Sequence, residues 1–86
     1  MQQFMRKFMQ LNGVKARVTL EHYLFGKQVF DCDKLQTVND DERIGVVLKG
    51  QEKYMYKHDI KAAIIQSNEY LLSDGKLTIA IDVNSL

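Results

Sequence analysis

Apolar and polar residues alternate along most of this chain, and a spacing of two is typical of β-strands. The pattern is cleanest where Val14, Ala16, Val18 and Leu20 alternate with charged or polar residues. It predicts five strands, over residues 14–21, 29–35, 43–49, 53–58 and 60–66. Gly26 marks a turn between the first two of them.

The first residues follow a helical spacing instead. Phe4, Met5, Phe8 and Met9 fall on one face of a helix predicted over residues 2–11, and the Asn-Gly pair that follows is a typical helix stop. This stripe is too short and too weakly basic for a membrane-surface helix. We therefore expect the helix to pack over the open end of a β-core.

The other end of the chain reads as a hairpin. Residues 70–72 and 77–83 are strand-like, and Asp74-Gly75 between them supplies the positive φ angles of a tight turn. The last strand is apolar along one face, and an exposed apolar edge aggregates unless it is covered. We expect that strand to pair with another element.

Together these elements predict a single, mainly β domain over residues 1–86. Many short strands in so short a chain favour a small, strongly bent, five-stranded antiparallel barrel. The predicted parts are an N-terminal helix (2–11), the barrel core (14–66) and a C-terminal hairpin extension (69–84).

Composition narrows the function classes. The chain has 12 Lys and Arg against 11 Asp and Glu, so its formal net charge of +1 argues against a strongly basic nucleic-acid coat protein. Cys32 is the single cysteine, which excludes an internal disulfide and a cysteine zinc site, and we interpret it as a small apolar strand residue. No apolar run is long enough to span a bilayer, and we expect a cytoplasmic protein with no membrane partner.

No catalytic constellation is visible in the sequence. Cys32 and the two histidines fall on separate predicted elements, and there is no phosphate loop or dinucleotide fingerprint. Residues 40–42 are acidic and follow Asp31 and Asp33; a metal site there is conceivable, but a solvated turn is commoner. We expect no enzyme activity, no cofactor, no metal and no small-molecule substrate.

The run from Tyr54 to Lys61 is the most informative stretch. Tyr54, Tyr56 and His58 alternate on one face of a predicted strand, and Lys57 sits between the last two. Aromatic rings stack on bases and lysines pair with phosphates, which favours RNA binding. The alternative is that the tyrosines pack at a subunit contact and the lysines are merely solvated.

This region resembles the Sm-like (LSm) family, and within it the bacterial RNA chaperones of the Hfq type. The resemblance rests on Ile-Gly-Val-Val-Leu-Lys over residues 44–49 followed by Tyr-Lys-His-Asp-Ile over residues 56–60, and it covers roughly residues 2–66. It implies a homo-oligomeric ring with single-stranded, uridine-rich RNA at the pore. Subunits would join by pairing the fourth strand of one copy with the fifth of the next.

The resemblance also implies roles for particular residues. Those expected to bind RNA are Arg43, Ile44, Tyr56, Lys57 and His58. Those expected at the subunit interface are Tyr54, Tyr56, Ile60 and Ile64. His22 or Tyr23 is the candidate for a second RNA-binding face.

Two departures from the family bear on RNA binding. Arg43 and Ile44 stand where the family has glutamine followed by an aromatic residue, and the segment between Gly26 and Ile44 is longer and carries an acidic turn. These departures keep open an alternative function, namely an oligomeric structural or protein-interaction scaffold with the Sm fold but without RNA binding.

Overall fold

The computed structural model describes residues 2–83. Within these residues one helix, α1 (Gln2–Met9), precedes eight strands. The strands are β1 (Ala16–His22), β2 (Gly26–Cys32), β3 (Gln36–Asn39), β4 (Arg43–Leu48), β5 (Gln51–Tyr56), β6 (Ala62–Gln66), β7 (Glu69–Ser73) and β8 (Leu77–Asp82). A single 3-10 turn over Lys57–Asp59 joins β5 to β6.

The strands form two antiparallel sheets. The larger has the order β2-β1-β8-β7-β6, and the smaller has the order β3-β4-β5. The link between β2 and β3 is held in place by Leu35, whose backbone N–H donates to the Val14 carbonyl at 2.9 Å and whose carbonyl accepts from the Gly13 N–H. The chain therefore passes from one sheet to the other through a corner that is anchored by these hydrogen bonds and by the buried side chain of Leu35.

The core lies between the two sheets and α1. Buried side chains come from every second position of β1, β4 and β8, in agreement with the alternation in the sequence. α1 contributes Phe4 and Phe8, whose rings lie 5.9 Å apart, and Phe4 also meets Tyr70 of β7 edge-on. The helix thus covers the core as expected, although Met9 is 62% exposed and does not take part.

The predicted strands are found with shifted limits; the second corresponds to β2, and β3 forms at residues where the sequence predicted no strand. The C-terminal hairpin is also present, with Gly75 at φ +90. Asp74 does not adopt a positive φ; instead its carboxylate accepts the N–H groups of Lys76 and Leu77, both at 2.8 Å. Residues 1 and 86, the limits of the predicted domain, and residue 84, the end of the predicted hairpin, lie outside the described residues.

The hairpin is not an extension added to a finished five-stranded core. β8 pairs with both β1 and β7, so β7 and β8 lie between β1 and β6 in the sheet. The reason is the apolar face of β8, where Ile79 and Ile81 are almost completely buried. The predicted pairing of this strand is confirmed, while the architecture is two antiparallel sheets with eight strands rather than a five-stranded unit plus an appendage.

No helix within residues 2–83 is long and apolar enough to cross a membrane.

Candidate functional site

Three rings form a row where β5 ends. Tyr54 and Tyr56 lie two residues apart on β5, with ring centres 5.7 Å apart at right angles. His58, in the 3-10 turn, lies almost parallel to Tyr56, at 6° and 5.8 Å. The predicted common face of these residues is therefore present, even though β5 ends at Tyr56 and His58 is not in a strand.

The last two rings are open to solvent. Tyr56 is 42% exposed, and the His58 side chain is 76% exposed. His58 Nδ1 lies 3.1 Å from a carboxylate oxygen of Asp59, its neighbour in the chain. The pair presents two parallel, solvent-accessible rings with a polar edge, and nucleobases stack on aromatic rings of this kind.

Lys57 lies between Tyr56 and His58 in the chain, and its backbone is held in place by hydrogen bonds. Its N–H donates to the Glu42 carbonyl at 2.7 Å, which ties the 3-10 turn to the connection between β3 and β4. The Ile60 N–H then donates back to the Lys57 carbonyl. Among the described residues the Lys57 ammonium makes no ion pair, so its charge is available to a ligand.

Arg43 is engaged within the chain. Its guanidinium contacts Asp40 at 2.8 Å and Glu52 at 3.1 Å, and it lies 4.9 Å above the ring of Tyr54. The hydrogen bond from Arg43, together with the backbone N–H groups of Arg43 and Glu42, lowers the pKa of Asp40 to about 2. Hydrogen bonding to Asp40 in turn raises the pKa of Arg43. Two carboxylates therefore offset the positive charge that was expected to bind RNA.

Gly45 allows β4 and β5 to approach closely beneath the rings. Gly45 is paired with Tyr54, and a Cβ at this position would overlap the Lys53 carbonyl oxygen and lie 2.5 Å from the Tyr54 Cα. Any side chain here would push Tyr54 away from Arg43. The glycine in the Ile-Gly-Val sequence therefore has a steric role in building the site.

The isoleucines expected in the site lie in different environments. Ile44 is completely buried in the core, so the structure exposes none of the side chain that was expected to contact RNA. Ile60 is half-buried against the core, whereas Ile64 on β6 is 51% exposed. Only Ile64 offers a large apolar surface to another subunit.

A second aromatic cluster, at the β1–β2 turn, exposes a large apolar surface. His22 stacks on Phe25 at 4.6 Å, and the tip of the β1–β2 turn exposes Tyr23, Leu24 and Phe25. An open cavity of about 420 Å³ separates this cluster from Tyr54. The signal was three consecutive large apolar residues directly before the turn glycine, which is an unusual place for them in a water-exposed loop.

Within residues 2–83 no three His, Cys, Asp or Glu side chains are grouped closely enough to hold a metal ion. The acidic turn between β3 and β4 instead binds its own backbone, since Asp40 Oδ1 accepts the N–H groups of Glu42 and Arg43. Comparison with known proteins finds no match: no family model, no curated protein and no solved structure is significantly similar to this chain.

Proposed function

We propose that this protein binds single-stranded RNA as an Sm-like, Hfq-like ring. The observation that carries the proposal is the exposed parallel pair of Tyr56 and His58. Between them in the chain lies Lys57, whose ammonium makes no ion pair within residues 2–83. Stacking on an aromatic ring contributes roughly 1–3 kcal/mol per base, and a lysine adds a phosphate contact.

The strand order supports self-assembly into a ring. β5 ends one sheet and β6 ends the other, and within the described residues neither strand has a second partner. β6 carries no charge in its sequence Ala-Ala-Ile-Ile-Gln, so it lacks the usual protection of an edge strand. Pairing β5 of one copy with β6 of the next covers both edges and repeats the site around a pore.

Each residue of the site then has a distinct role. Tyr56 and His58 stack on bases, and the His58 edge forms a hydrogen bond with a base or sugar. Lys57 contacts phosphate. Arg43 orients Tyr54 through its position above the ring and does not contact RNA, because Asp40 and Glu52 hold it. The protein would hold short, uridine-rich RNA unstacked and carry out no bond chemistry.

The test is fluorescence anisotropy of labelled oligouridine and oligoadenosine titrated with the protein. We expect Lys57→Ala combined with His58→Ala to weaken oligouridine binding by at least tenfold and to reduce its salt dependence. Lys34→Ala is the matched control, since Lys34 lines a cavity beside the β4–β5 turn, at the opposite end of β5. Wild-type rings that leave both oligomers unbound at low salt contradict the proposal.

The second candidate is a ring-forming scaffold that does not bind RNA. One observation in its favour is the acidic turn, which the hydrogen bond from the Lys57 N–H to the Glu42 carbonyl places directly beside the rings. Another is that the positive charge of Arg43 is neutralised by its ion pair with Asp40. The two functions separate in the same titration: a scaffold keeps its assembled mass and binds neither oligomer at any salt concentration.

A further inference from the structure

The outer face of the five-stranded sheet carries an apolar row from edge to edge. The register of the four strand pairs aligns five residues across the strands: Val29, Thr19, Ala80, Leu71 and Ile64. The core-facing neighbours on β1 are Val18 and Leu20, so this row points away from the core. Its two ends, Val29 at 56% and Ile64 at 51%, are among the most exposed aliphatic side chains of the described residues.

Two polar rows flank the apolar row on the same face. One, the acidic row, consists of Asp31, Arg17, Asp82, Glu69 and Gln66. The other, the mixed row, consists of Lys27, Glu21, Thr78, Ser73 and Ala62. An apolar centre with a polar rim is the composition of a protein–protein interface, and the acidic row makes the face unsuited to nucleic acid.

We propose that this face binds the same face of a second copy of the chain, with a two-fold axis along the apolar row. That axis lays the acidic row of one copy over the mixed row of the other, strand upon strand. Asp31 then meets Lys27 of the second copy, and Arg17 meets Glu21. Because Arg17 already binds Asp31 at 2.7 Å, each rim becomes a quartet of alternating charges.

The remaining positions are compatible with the same axis. Asp82 and Glu69 face the hydroxyl residues Thr78 and Ser73, and like charges meet nowhere in the three rows. The other in-plane axis, parallel to the strands, places Asp82 of one copy on Asp82 of the other. Charge complementarity therefore selects the first axis. It also gives the aligned face-to-face packing that is common for two sheets.

The size of the face sets the strength of the contact. The sheet face is five strands wide, with about 4.8 Å between strands, and about five residues long, with about 3.3 Å per residue. Its projected area is therefore about 400 Å² per partner. Stable complexes bury about 800 Å² per partner. We therefore expect a reversible dimer whose population rises with protein concentration and falls with salt.

Sedimentation velocity over a concentration series tests this contact. Face pairing joins two copies of the chain, so it doubles the mass of a species that is otherwise a single chain. Ala80→Lys, at the centre of the apolar row, brings two charges together on the axis and is expected to halve the mass seen at high concentration. Gln36→Lys is the control, because it makes the same charge change on an exposed position of β3. Thermal melts establish that both variants remain folded.

Two rim variants test the axis. Lys27→Glu places two carboxylates opposite each other and is expected to weaken the dimer at least fivefold, whereas Glu69→Lys faces Ser73 and leaves it intact. The reverse pattern overturns the proposed axis. An unchanged mass in Ala80→Lys, or a wild-type mass that never doubles with concentration, overturns the proposal and leaves the face to a different protein partner.

Discussion

The lowered pKa of Asp40 makes the stability of this protein depend on pH in the acidic range. Its folded pKa of about 2 lies below its ordinary value of 3.8, so its ionised form favours the folded state. That contribution is complete above the ordinary value and is lost as the pH falls through about 2. We expect Asp40→Asn to lower the melting temperature by a few degrees at neutral pH. This difference from wild type should vanish as the pH falls towards about 2.

Thermal unfolding across this pH range checks the prediction, with Asp41→Asn as the control. Asp41 is exposed in the same turn and makes no hydrogen bond or ion pair within residues 2–83. A constant difference between wild type and Asp40→Asn at all pH values would show that altered hydrogen bonding in the turn, rather than the lost charge, causes the effect.

Gly45 is the second residue whose effect is specific. Its backbone is ordinary, but a Cβ would overlap the paired strand, so we expect Gly45→Ala to cost about 3 kcal/mol in the free energy of unfolding. Gly50→Ala provides the contrast, because Gly50 has φ +79 with open space around it and should cost about 1 kcal/mol. Urea denaturation of both variants measures the difference, and equal costs would mean that β4 and β5 separate easily.

At the level of strands, neighbouring leucines on β7 have opposite roles. Leu72 is 1% exposed in the core, whereas Leu71 lies half-buried on the outer face. Leu72→Ala is expected to cost about 2–5 kcal/mol, because it leaves a cavity that the core cannot close. Leu71→Ala should cost under about 1 kcal/mol when measured by denaturation at high dilution. Similar costs would contradict the assignment of the two faces.

Most strands follow from local alternation, because the period of two reports directly which side chains face the core. Ile44, Val46 and Leu48 are buried as their spacing predicts. The order of strands is different, because it depends on which edges meet in space. Nothing near β8 in the sequence specifies β1 as its partner. The same distinction applies to the candidate site. The row of three rings follows from the alternation along β5, whereas the ion pair between Arg43 and Glu52 depends on the register between β4 and β5.

The position of the hairpin makes it necessary for folding. Without β7 and β8, β1 and β6 each lose a strand partner, and the core loses Leu72, Ile79 and Ile81. A chain ending at Gln66 is therefore expected to remain unfolded. Its far-UV circular dichroism signal should show no cooperative transition on heating. Cooperative folding of this fragment would mean that β6 moves to pair with β1, giving a six-stranded unit without the hairpin.

For the whole molecule, hydrogen exchange distinguishes a ring from a monomer strand by strand. β1, β4 and β8 have partners on both sides, so their amides should exchange slowly in either state. β5 and β6 are edges of the single chain, and ring closure gives each a second partner. We expect their exchange to be slow at concentrations where the protein is assembled and to become fast on dilution.

The outer edge of β2 is an internal reference, because ring closure leaves it unpaired and its exchange should not change. If β5 and β6 exchange rapidly in an assembled protein, then the copies are joined by another surface, and the sheet-face contact through Ala80 becomes the principal one.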